Sequence, residues 1–444
     1  MTLPMPPQIS PQTLAQALEE KIRSRTARVG VIGLGYVGLP LAVEFANAGF
    51  QVTGIDISSE KTAKVNAGES YIGDIPSSVL SGLASAGKLR ATTDFAAVSD
   101  LDTVNICVPT PLRKTKDPDM SYIVSAMQEI AKYFHPGTLV ILESTTYPGT
   151  TDEVVLPMLA KNGLEAGRDF FLCFSPERVD PGNPEFQTNN IPKVVGGVTP
   201  ACTAMGQVFY SQALQTVVPV SSTQVAEMVK LLENTFRMIN IGLANEIAVM
   251  CDRMGINVWE VIDAAATKPF GFMPFYPGPG LGGHCIPIDP FYLSWKTKQA
   301  GIEARFIELA GYINGQMPHF VVDKVQNALN DAGKPVKGSR IHVMGVAYKR
   351  NIDDMRESPA LDVMLLLQKR GALLSYSDPH VPELRLDALN LRSAPEETVA
   401  DADCVIIVTD HHDFDYDALV TRARLIVDTR NALKGRVSDK IVRL

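Results

Sequence analysis

The sequence predicts an α/β protein in which two doubly wound parallel-sheet domains are joined by a long central helix. Short apolar runs alternate with amphipathic helical segments twice along the chain, from residue 28 to about residue 220 and again from residue 334. Between these regions, from Ser221 to about Met254, an apolar stripe recurs at helical spacing. Because strands that alternate with helices assemble into parallel sheets, both flanking regions are predicted to be Rossmann-like.

Length, charge and cysteine usage narrow the class of protein. The 444 residues exceed what one ordinary core can hold, and the net charge of -8 argues against a nucleic acid or an anionic membrane as partner. The sequence shows neither a secretion leader nor an apolar run long enough to span a bilayer, so a cytoplasmic protein is expected. None of the six cysteines forms a Cys-x-x-Cys pair, which predicts no metal site and is typical of a reducing compartment.

A dinucleotide site is predicted close to the N-terminus. A short apolar strand runs directly into a glycine-rich turn, whose residues are Gly33, Leu34, Gly35, Tyr36, Val37 and Gly38. The glycines permit a tight turn and let a pyrophosphate approach the N-terminus of the helix that follows. The alternative is a Rossmann-like turn without a ligand.

The second strand of this unit identifies the cofactor. It ends at Asp56, about 20 residues beyond the first glycine, where a carboxylate accepts hydrogen bonds from a ribose diol and repels a 2′-phosphate. NAD is therefore favoured over NADP, although nearby Lys61 is a residue that suits a phosphate.

Polar and turn residues follow three further strand-like runs in this region. The runs are Leu101–Val108, Thr138–Glu143 and Phe170–Phe174, and the residues after them include Pro109, Thr110, Thr146, Glu177 and Arg178. Ligands of a parallel sheet collect at the carboxyl ends of its strands, so Thr110, Thr146 and Glu177 are predicted to lie where cofactor meets substrate. The alternative is that they are ordinary turn and capping residues.

The long central helix carries a candidate oxyanion site. Lys230 and Asn234 are four residues apart and share one helix face, with apolar residues on both sides of the lysine. An ammonium with an amide one turn away is suited to stabilise a negative oxygen. The alternative is a solvated lysine on the surface.

A rigid loop, Pro277–Pro290, holds the candidate nucleophile. It contains four glycines and four prolines, a composition that excludes a regular helix or a central strand. Cys285 lies in this loop and Asp289 follows four residues later, so a thiol and a water-activating carboxylate are placed together. The alternative is a stiff turn with an incidental cysteine.

The C-terminal α/β region has no second glycine-rich motif, but it carries basic residues near its predicted strand ends. Lys349, Arg356 and Arg430 are suited to the phosphates of a different nucleotide. The alternative for any one of these residues is that it lies on the surface and forms a salt bridge instead of binding a phosphate.

These motifs together resemble the UDP-glucose/UDP-mannuronate dehydrogenase family over about residues 28–432. The matching segments are Gly33–Gly38, Val108–Pro111, Glu143–Pro148, Ser175–Arg178, Lys230 with Asn234, Gly282–Asp289 and Asp353–Ser358. The resemblance implies four regions, which are an N-terminal extension (1–27), an NAD-binding Rossmann domain (28–220), a central helical dimerisation region with the cysteine loop (221–333) and a UDP-sugar-binding Rossmann-like domain (334–444). It also implies a homodimer or higher homo-oligomer and a role in polysaccharide biosynthesis.

The resemblance also implies a role for each matching residue. Cys285 corresponds to the nucleophile, Lys230 and Asn234 to the groups that stabilise oxyanions, Asp289 and Thr146 to those that handle the catalytic water, and Glu177 to the acid near the sugar. The implied cofactor-binding residues are Gly33, Gly35, Tyr36, Val37, Gly38, Asp56, Lys61, Pro109, Thr110 and Thr146. The implied substrate-binding residues are Glu177, Arg178, Val179, Lys230, Asn234, Phe275, Tyr276, Gly282, Lys349 and Arg430.

Two segments indicate the branch of the family. Glu177–Asn183 and Phe270–Tyr276 differ from the UDP-glucose branch and resemble enzymes that oxidise UDP-N-acetylhexosamines. UDP-N-acetylglucosamine is therefore the expected substrate, with UDP-N-acetylmannosamine and UDP-glucose as alternatives.

The resemblance and the residues together predict a four-electron oxidation of C6 through a thiohemiacetal and a thioester on Cys285. Two other classes of function remain open. A two-electron β-hydroxyacid dehydrogenase shares an NAD domain and a helical lysine and asparagine, but it needs neither Cys285 nor a second nucleotide domain. A non-catalytic nucleotide-binding regulator would tolerate loss of Cys285.

Overall fold

The computed structural model describes residues 11–73, 75–113, 117–180, 183, 185–386 and 389–444. The chain divides into two compact units, and the division falls between Leu232 and Glu233. Both units contain helices and predominantly parallel sheets, which confirms the predicted α/β class.

The first unit alternates strands with helices. Its strands are β1 (Arg28–Ile32), β2 (Gln51–Ile55), β3 (Leu89–Thr92), β4 (Thr103–Ile106), β5 (Leu139–Leu142), β6 (Phe171–Phe174), β7 (Lys193–Gly197) and β8 (Val217–Val220). Its helices are α1 (Pro11–Arg23), α2 (Gly38–Asn47), α3 (Ser59–Ala67), α4 (Ser77–Ser85), α5 (Ser121–Tyr133), α6 (Leu156–Leu159) and α7 (Pro200–Tyr210). The long helix α8 (Thr223–Met254) begins here and ends in the second unit.

One eight-stranded sheet organises the first unit, in the order β3-β2-β1-β4-β5-β6-β7-β8. All neighbouring strands are parallel except β6 and β7, which are antiparallel with Phe174 opposite Gly196. The parallel sheet expected from the sequence is therefore interrupted at one pairing. The reason is that the described part of the connection 175–192 contains no helix, so the chain turns back along the same edge of the sheet.

Apolar residues fill both faces of this sheet. Along β5, Leu139 and Ile141 belong to one buried cluster, whereas Val140 and Leu142 belong to another, as expected for a strand covered on both sides. The four-residue spacing of Leu14, Leu18 and Ile22 predicts an N-terminal docking helix that Ser10 caps. The observed helix α1 docks on the first cluster through Leu18, which is 3% exposed. Its proposed cap, Ser10, lies outside the described residues.

The second unit contains the C-terminal part of α8 and a second α/β arrangement. Its other helices are α9 (Val258–Ala266), α10 (Asp289–Gln299), α11 (Arg305–Asp331), α12 (Pro359–Lys369) and α13 (Tyr416–Arg422). Its strands are β9 (Arg340–Met344), β10 (Leu373–Ser377), β11 (Glu383–Leu386), β12 (Leu389–Arg392), β13 (Cys404–Ile407), β14 (Ile426–Asp428) and β15 (Ile441–Arg443).

The C-terminal sheet is fully parallel, in the order β10-β9-β13-β14-β15, and a separate antiparallel pair joins β11 and β12. The predicted long helix spans Thr223–Met254, close to the expected 221–254. Within the part of the chain that the structure describes, every helix is too short or too polar to cross a lipid bilayer.

A buried histidine in β9 makes the stability of the second unit depend on pH. His342 is 0% exposed, and its ring nitrogens lie 2.8 and 2.9 Å from the hydroxyls of Ser375 and Ser377. Burial lowers the pKa of His342 to about 4 because the charged ring cannot be solvated there. This pKa lies below the unfolded value of 6.5, so the unfolded protein takes up the proton first as the pH falls. The contribution of the neutral ring to the free energy of unfolding is therefore complete above pH 6.5 and is lost as the pH falls towards 4.

We expect His342→Gln to reduce the pH dependence of unfolding. Between pH 7.5 and pH 5, the free energy of unfolding of the native protein should fall by about 2 kcal/mol more than that of the variant. Urea unfolding at both pH values measures this difference, and His319→Gln, at an exposed position, is the control. Parallel pH dependence in native protein and His342→Gln would exclude the histidine as the cause.

Candidate active site

The glycine-rich turn between β1 and α2 leaves an open position for a ligand. Gly33 has a φ of +90°, a conformation that a side chain would strain. A Cβ on Gly38 would lie 1.8 Å from the carbonyl oxygen of Gly33, so this position admits only glycine. A Cβ on Gly35, in contrast, would meet nothing within 4 Å among the described residues. The space over Gly35, beside the N-terminus of α2, therefore fits a pyrophosphate.

Asp56 and a tyrosine hold this turn from opposite sides. The Asp56 carboxylate accepts hydrogen bonds from the backbone N–H of Leu34 (2.8 Å) and of Ser58 (2.9 Å), and Lys61 Nζ lies 3.6 Å from it. The Tyr71 hydroxyl donates to the carbonyl of Leu34 at 2.7 Å. A carboxylate can accept further hydrogen bonds beyond these two, so Asp56 fits the ribose of NAD. The sequence did not identify Tyr71, because its partner is a backbone group.

The turns after β4 and β5 carry the predicted residues Pro109, Thr110 and Thr146. Pro109 is exposed, whereas Thr110 and Thr146 are 3% and 1% exposed. The Thr150 hydroxyl donates to the carbonyl of Tyr147 at 2.8 Å. The hydroxyls of Thr146 and Thr150 are also hydrogen-bonded to each other, which fixes the Thr146 side chain on this turn.

Glu227 on α8 anchors the turn that contains Thr146. Its carboxylate accepts hydrogen bonds from Gly149 N (2.5 Å), Thr151 N (2.9 Å) and the Thr151 hydroxyl (2.7 Å). Burial raises the pKa of Glu227 to about 7, although these three donors oppose the shift. Glu227 was not among the predicted site residues, although it lies three residues before Lys230 and so shares the lysine's helix face.

Glu177 lies three residues beyond β6 and is held by its own backbone and by a lysine. One carboxylate oxygen accepts hydrogen bonds from the N–H of Arg178 (2.8 Å) and of Val179 (2.9 Å), and the other lies 3.2 Å from Lys193 Nζ. Burial alone would raise the pKa of Glu177, but the ammonium of Lys193, the Val179 N–H and the charge of Lys230 outweigh it and lower the pKa. Lys193 was not among the predicted site residues.

In the second unit, the loop that carries Cys285 packs against the loop after β9. Gly283 has a φ of +85°, and its N–H donates to the carbonyl of Arg356 at 2.9 Å. A Cβ on Gly282 or on Gly283 would lie within 2.7 Å of the Tyr348 side chain. Glycine at both positions is therefore a packing requirement, and it brings the cysteine loop against the segment that contains Lys349.

Cys285, Asp289 and Asn234 are connected by hydrogen bonds. Asp289 begins α10, and its N–H donates to the carbonyl of Cys285 at 2.8 Å. The Asn234 amide donates to the Asp289 carboxylate at 2.7 Å. Lys230 lies one turn before Asn234 on α8, and each of the two is 8% exposed. Cys285 is half-buried, whereas the other five cysteines are buried.

A cavity of about 510 Å³ in the second unit has the composition of a nucleotide site. It contains aromatic rings, basic groups and two carboxylates, and its lining residues are Trp259, Asp263, Tyr276, Pro277, Arg350, Asp410, His412, Tyr416, Arg430, Asn431, Ala432 and Lys434. Trp259 and Tyr276 stack with ring centres 6.0 Å apart. Arg430 is fixed by a 2.9 Å hydrogen bond from its Nε to the carbonyl of Val408 and makes no salt bridge to a described residue. Its terminal nitrogens are therefore suited to an anionic ligand.

Three other residues that the sequence suggests for substrate binding, Lys349, Phe275 and Arg356, are not among those that line this cavity. Lys349 is half-buried in the loop after β9. Phe275 packs edge-on against Phe236, with ring centres 5.7 Å apart. Arg356 forms an ion pair with Asp354 at 2.6 Å, which corresponds to the salt-bridging alternative for this residue.

Models of one family cover most of the chain. The NAD binding domain of the UDP-glucose/GDP-mannose dehydrogenase family matches residues 27–214, its central domain matches residues 224–316, and its UDP binding domain matches residues 342–435. The chain belongs to this family. The predicted family and the predicted cofactor, NAD, are thereby confirmed. Arg430 lies in the domain whose family description is UDP binding, whereas Trp259 and Tyr276 of the same cavity lie in the central domain.

Individual relatives agree with this assignment. The chain is 36% identical to UDP-N-acetyl-D-mannosamine dehydrogenase of Pyrococcus horikoshii, over 92% of this chain and 96% of the relative. It is also 36% identical to NDP-N-acetyl-D-galactosaminuronic acid dehydrogenase of Ralstonia nicotianae, over 90% of this chain and 95% of the relative. The solved structure of the Pyrococcus horikoshii UDP-D-ManNAc dehydrogenase matches with a TM-score of 0.85 and 34% identity, over 94% of this chain and 98% of that one.

We expect two glycine substitutions in the first turn to have separable effects. Gly38→Ala forces a Cβ onto the carbonyl of Gly33 and should destabilise the protein by about 1–3 kcal/mol. Gly35→Ala meets no protein atom and should leave the melting temperature unchanged, while its methyl group occupies the ligand's space and weakens NAD binding by about tenfold or more.

Thermal melts without ligand and calorimetric NAD titrations measure the two effects. Native affinity for NAD in Gly35→Ala would mean that the pyrophosphate does not lie over this glycine.

Proposed function

We propose that this protein oxidises C6 of a UDP-N-acetylhexosamine to a carboxylate, with two NAD consumed per sugar. The observation that supports the proposal most strongly is the connection of Cys285, Asp289 and Asn234 by hydrogen bonds on a glycine-rich loop. That loop packs against the segment containing Lys349 in the same unit as the Arg430 cavity. A two-electron oxidation of an alcohol to a carbonyl requires no nucleophile, whereas a four-electron oxidation to an acid does.

The residues perform distinct tasks in this proposal. When bound, NAD accepts the hydride in each of the two oxidations. The Cys285 thiolate adds to the aldehyde that the first oxidation produces, and the resulting thiohemiacetal keeps the carbon in place for the second. The second oxidation leaves a thioester on Cys285. Asp289 then removes a proton from water, which attacks the thioester and releases the uronate and the free thiol. Thr146 assists in placing the water.

Lys230 and Asn234 stabilise the negative oxygen of the tetrahedral species. The Asn234 amide has two N–H groups, and the bond to Asp289 uses one of them. One donor in such a site contributes about 3–4 kcal/mol to the stabilisation of a transition state. The same hydrogen bond fixes the orientation of the amide, so little reorganisation is needed during the reaction.

The nucleotide end of the substrate is assigned to the C-terminal domain. Arg430 of the cavity and Lys349 of the loop after β9 contact the phosphates in this proposal, and Tyr276 supplies an aromatic face of the cavity. Glu177, Arg178 and Val179 are assigned to the sugar. We also propose that the protein acts in the cytoplasm, as a homodimer, in polysaccharide biosynthesis. Exposed apolar residues on α8 support the dimer, among them Phe236 (46% exposed) and Leu243 (55% exposed).

Two sugars are candidates. UDP-N-acetylmannosamine is supported by the relatives whose names state that activity, such as the 36% identical protein of Pyrococcus horikoshii. UDP-N-acetylglucosamine is supported by the resemblance of the segments Glu177–Asn183 and Phe270–Tyr276, of which Pro181 and Gly182 lie outside the described residues. The two sugars differ only in configuration at C2, so the test must include both.

The NADH yield per sugar tests the reaction and its substrate. With limiting UDP-N-acetylmannosamine, UDP-N-acetylglucosamine and UDP-glucose in separate assays, we expect two NADH per sugar from one of the two N-acetylhexosamines. A yield of one NADH would indicate a two-electron dehydrogenase. If none of the three sugars yielded NADH, the protein would be a nucleotide-binding protein that does not catalyse this oxidation.

We expect Cys285→Ser to lower turnover by several orders of magnitude, because a hydroxyl is a far weaker nucleophile than a thiolate. Mass spectrometry of the product should show aldehyde or a covalent ester on the protein in place of uronate. Cys251→Ser, at a buried structural cysteine, is the control and should keep two NADH per sugar. Uronate formation at the native rate in Cys285→Ser would rule out the covalent route.

A further inference from the structure

Five buried polar side chains form one hydrogen-bonded network at the ligand edge of the first-unit sheet. Its members are Asn105, Glu143, Glu177, Lys193 and Tyr210. Lys193 Nζ lies 2.6 Å from the Glu143 carboxylate and 3.2 Å from that of Glu177. Glu143 also accepts hydrogen bonds from the Tyr210 hydroxyl (2.6 Å) and the Asn105 amide (2.8 Å). The network therefore joins the predicted sugar-binding residue Glu177 to the interior of the domain.

The antiparallel pairing of β6 and β7 explains why a lysine lies here. Phe174 pairs with Gly196, and continuing this register by three residues places Glu177 opposite Lys193. One residue further, the register places Arg178 opposite Pro192, and the guanidinium of Arg178 donates to the Pro192 carbonyl at 2.7 Å. Lys193 thus begins β7 at the edge where the parallel strands end.

Opposite charges hold the Lys193 ammonium in one position between the carboxylates of Glu143 and Glu177. Lys193 is 4% exposed, and the side chains of Glu143 and Glu177 are 0% and 10% exposed. Burial opposes the charged lysine, but the two carboxylates outweigh this effect and raise its pKa. An ammonium that serves two buried carboxylates is held firmly, because moving it would leave charges without compensation.

Glu177 has little freedom to act as a proton donor. Its carboxylate faces two backbone N–H groups and one ammonium, and its pKa is lowered. A carboxylate in this state accepts hydrogen bonds only. The Glu177 carboxylate instead fixes the backbone conformation of the next two residues, Arg178 and Val179, whose N–H groups it binds.

We propose that Lys193 is a positioning residue, which orients the Glu177 carboxylate so that the backbone of Arg178 and Val179 is fixed for binding the sugar. The sugar-binding part of this inference rests on the proposed function. Lys193 contacts neither sugar nor cofactor in this proposal, and it acts entirely through Glu177.

The test uses variants that separate positioning from folding. Lys193→Met leaves two buried carboxylates without their cation and is expected to destabilise the protein strongly. The double variant Lys193→Met/Glu143→Gln removes one of these charges and should recover most of the lost melting temperature. Lys193→Arg keeps the charge and should retain most of the activity. Lys88→Met is the control, because Lys88 is a half-buried lysine of the same unit that donates to the Gly49 carbonyl at the opposite edge of the sheet.

Three measurements on the double variant decide the proposal. The KM for the UDP-sugar should rise by about tenfold or more, while the KM for NAD changes by less than about twofold. The acidic limb of the kcat/KM profile should move to higher pH, because Lys193 no longer favours the ionised Glu177. Amide hydrogen exchange at Arg178 and Val179 should increase.

Native KM, native pH profile and native exchange in a folded double variant would overturn the proposal and leave Lys193 with a structural role alone. The exchange measurement needs no substrate. If the native protein oxidised no UDP-sugar, the proposed function would fail, and exchange at Arg178 and Val179 would still decide whether Lys193 orients this segment.

Discussion

Buried carboxylates that accept backbone N–H groups hold the ligand-side loops of both units. In the first unit, Asp56 holds the glycine-rich turn, Glu177 holds the segment after β6, and Glu227 holds the turn after β5. In the second unit, Asp378 accepts hydrogen bonds from four backbone N–H groups, and Asp428 accepts them from three. Parallel strands leave such groups unpaired at their carboxyl ends, where the predicted ligands bind. The carboxylates satisfy them and thereby fix the loops.

Much of the fold and part of the site could be predicted from the sequence, because those features have a local cause. The turn of Gly33 and Gly38, the acid Asp56 and the long helix α8 all follow from spacing within one or two elements. Lys193 and Tyr71 could not be predicted in this way, since an isolated lysine or tyrosine is usually exposed and their partners lie far along the chain. The antiparallel register of β6 and β7 was the missing information, because it alone places Lys193 opposite Glu177.

The identity of the sugar is a different kind of problem from the identity of the family. Family membership depends on many residues spread over the chain, so the matches to three successive domains establish it. Configuration at C2 of a hexose changes the position of one substituent by a few ångströms. Residues that distinguish the two configurations at C2 do so through the shape of the binding pocket. That shape does not follow from residue types or from their spacing along the chain.

The loop between β6 and β7 begins and ends at the same edge of the sheet. Residues can therefore be inserted or removed within 180–191 while every strand from β1 to β6 keeps its register, both apolar clusters stay closed and Glu177 stays opposite Lys193. In a βαβ connection, by contrast, a change of length must be absorbed by a helix packed on the core. The antiparallel step thus makes the length of this loop largely independent of the packing of the NAD-binding domain, so the loop can change in length at little cost to the stability of that domain.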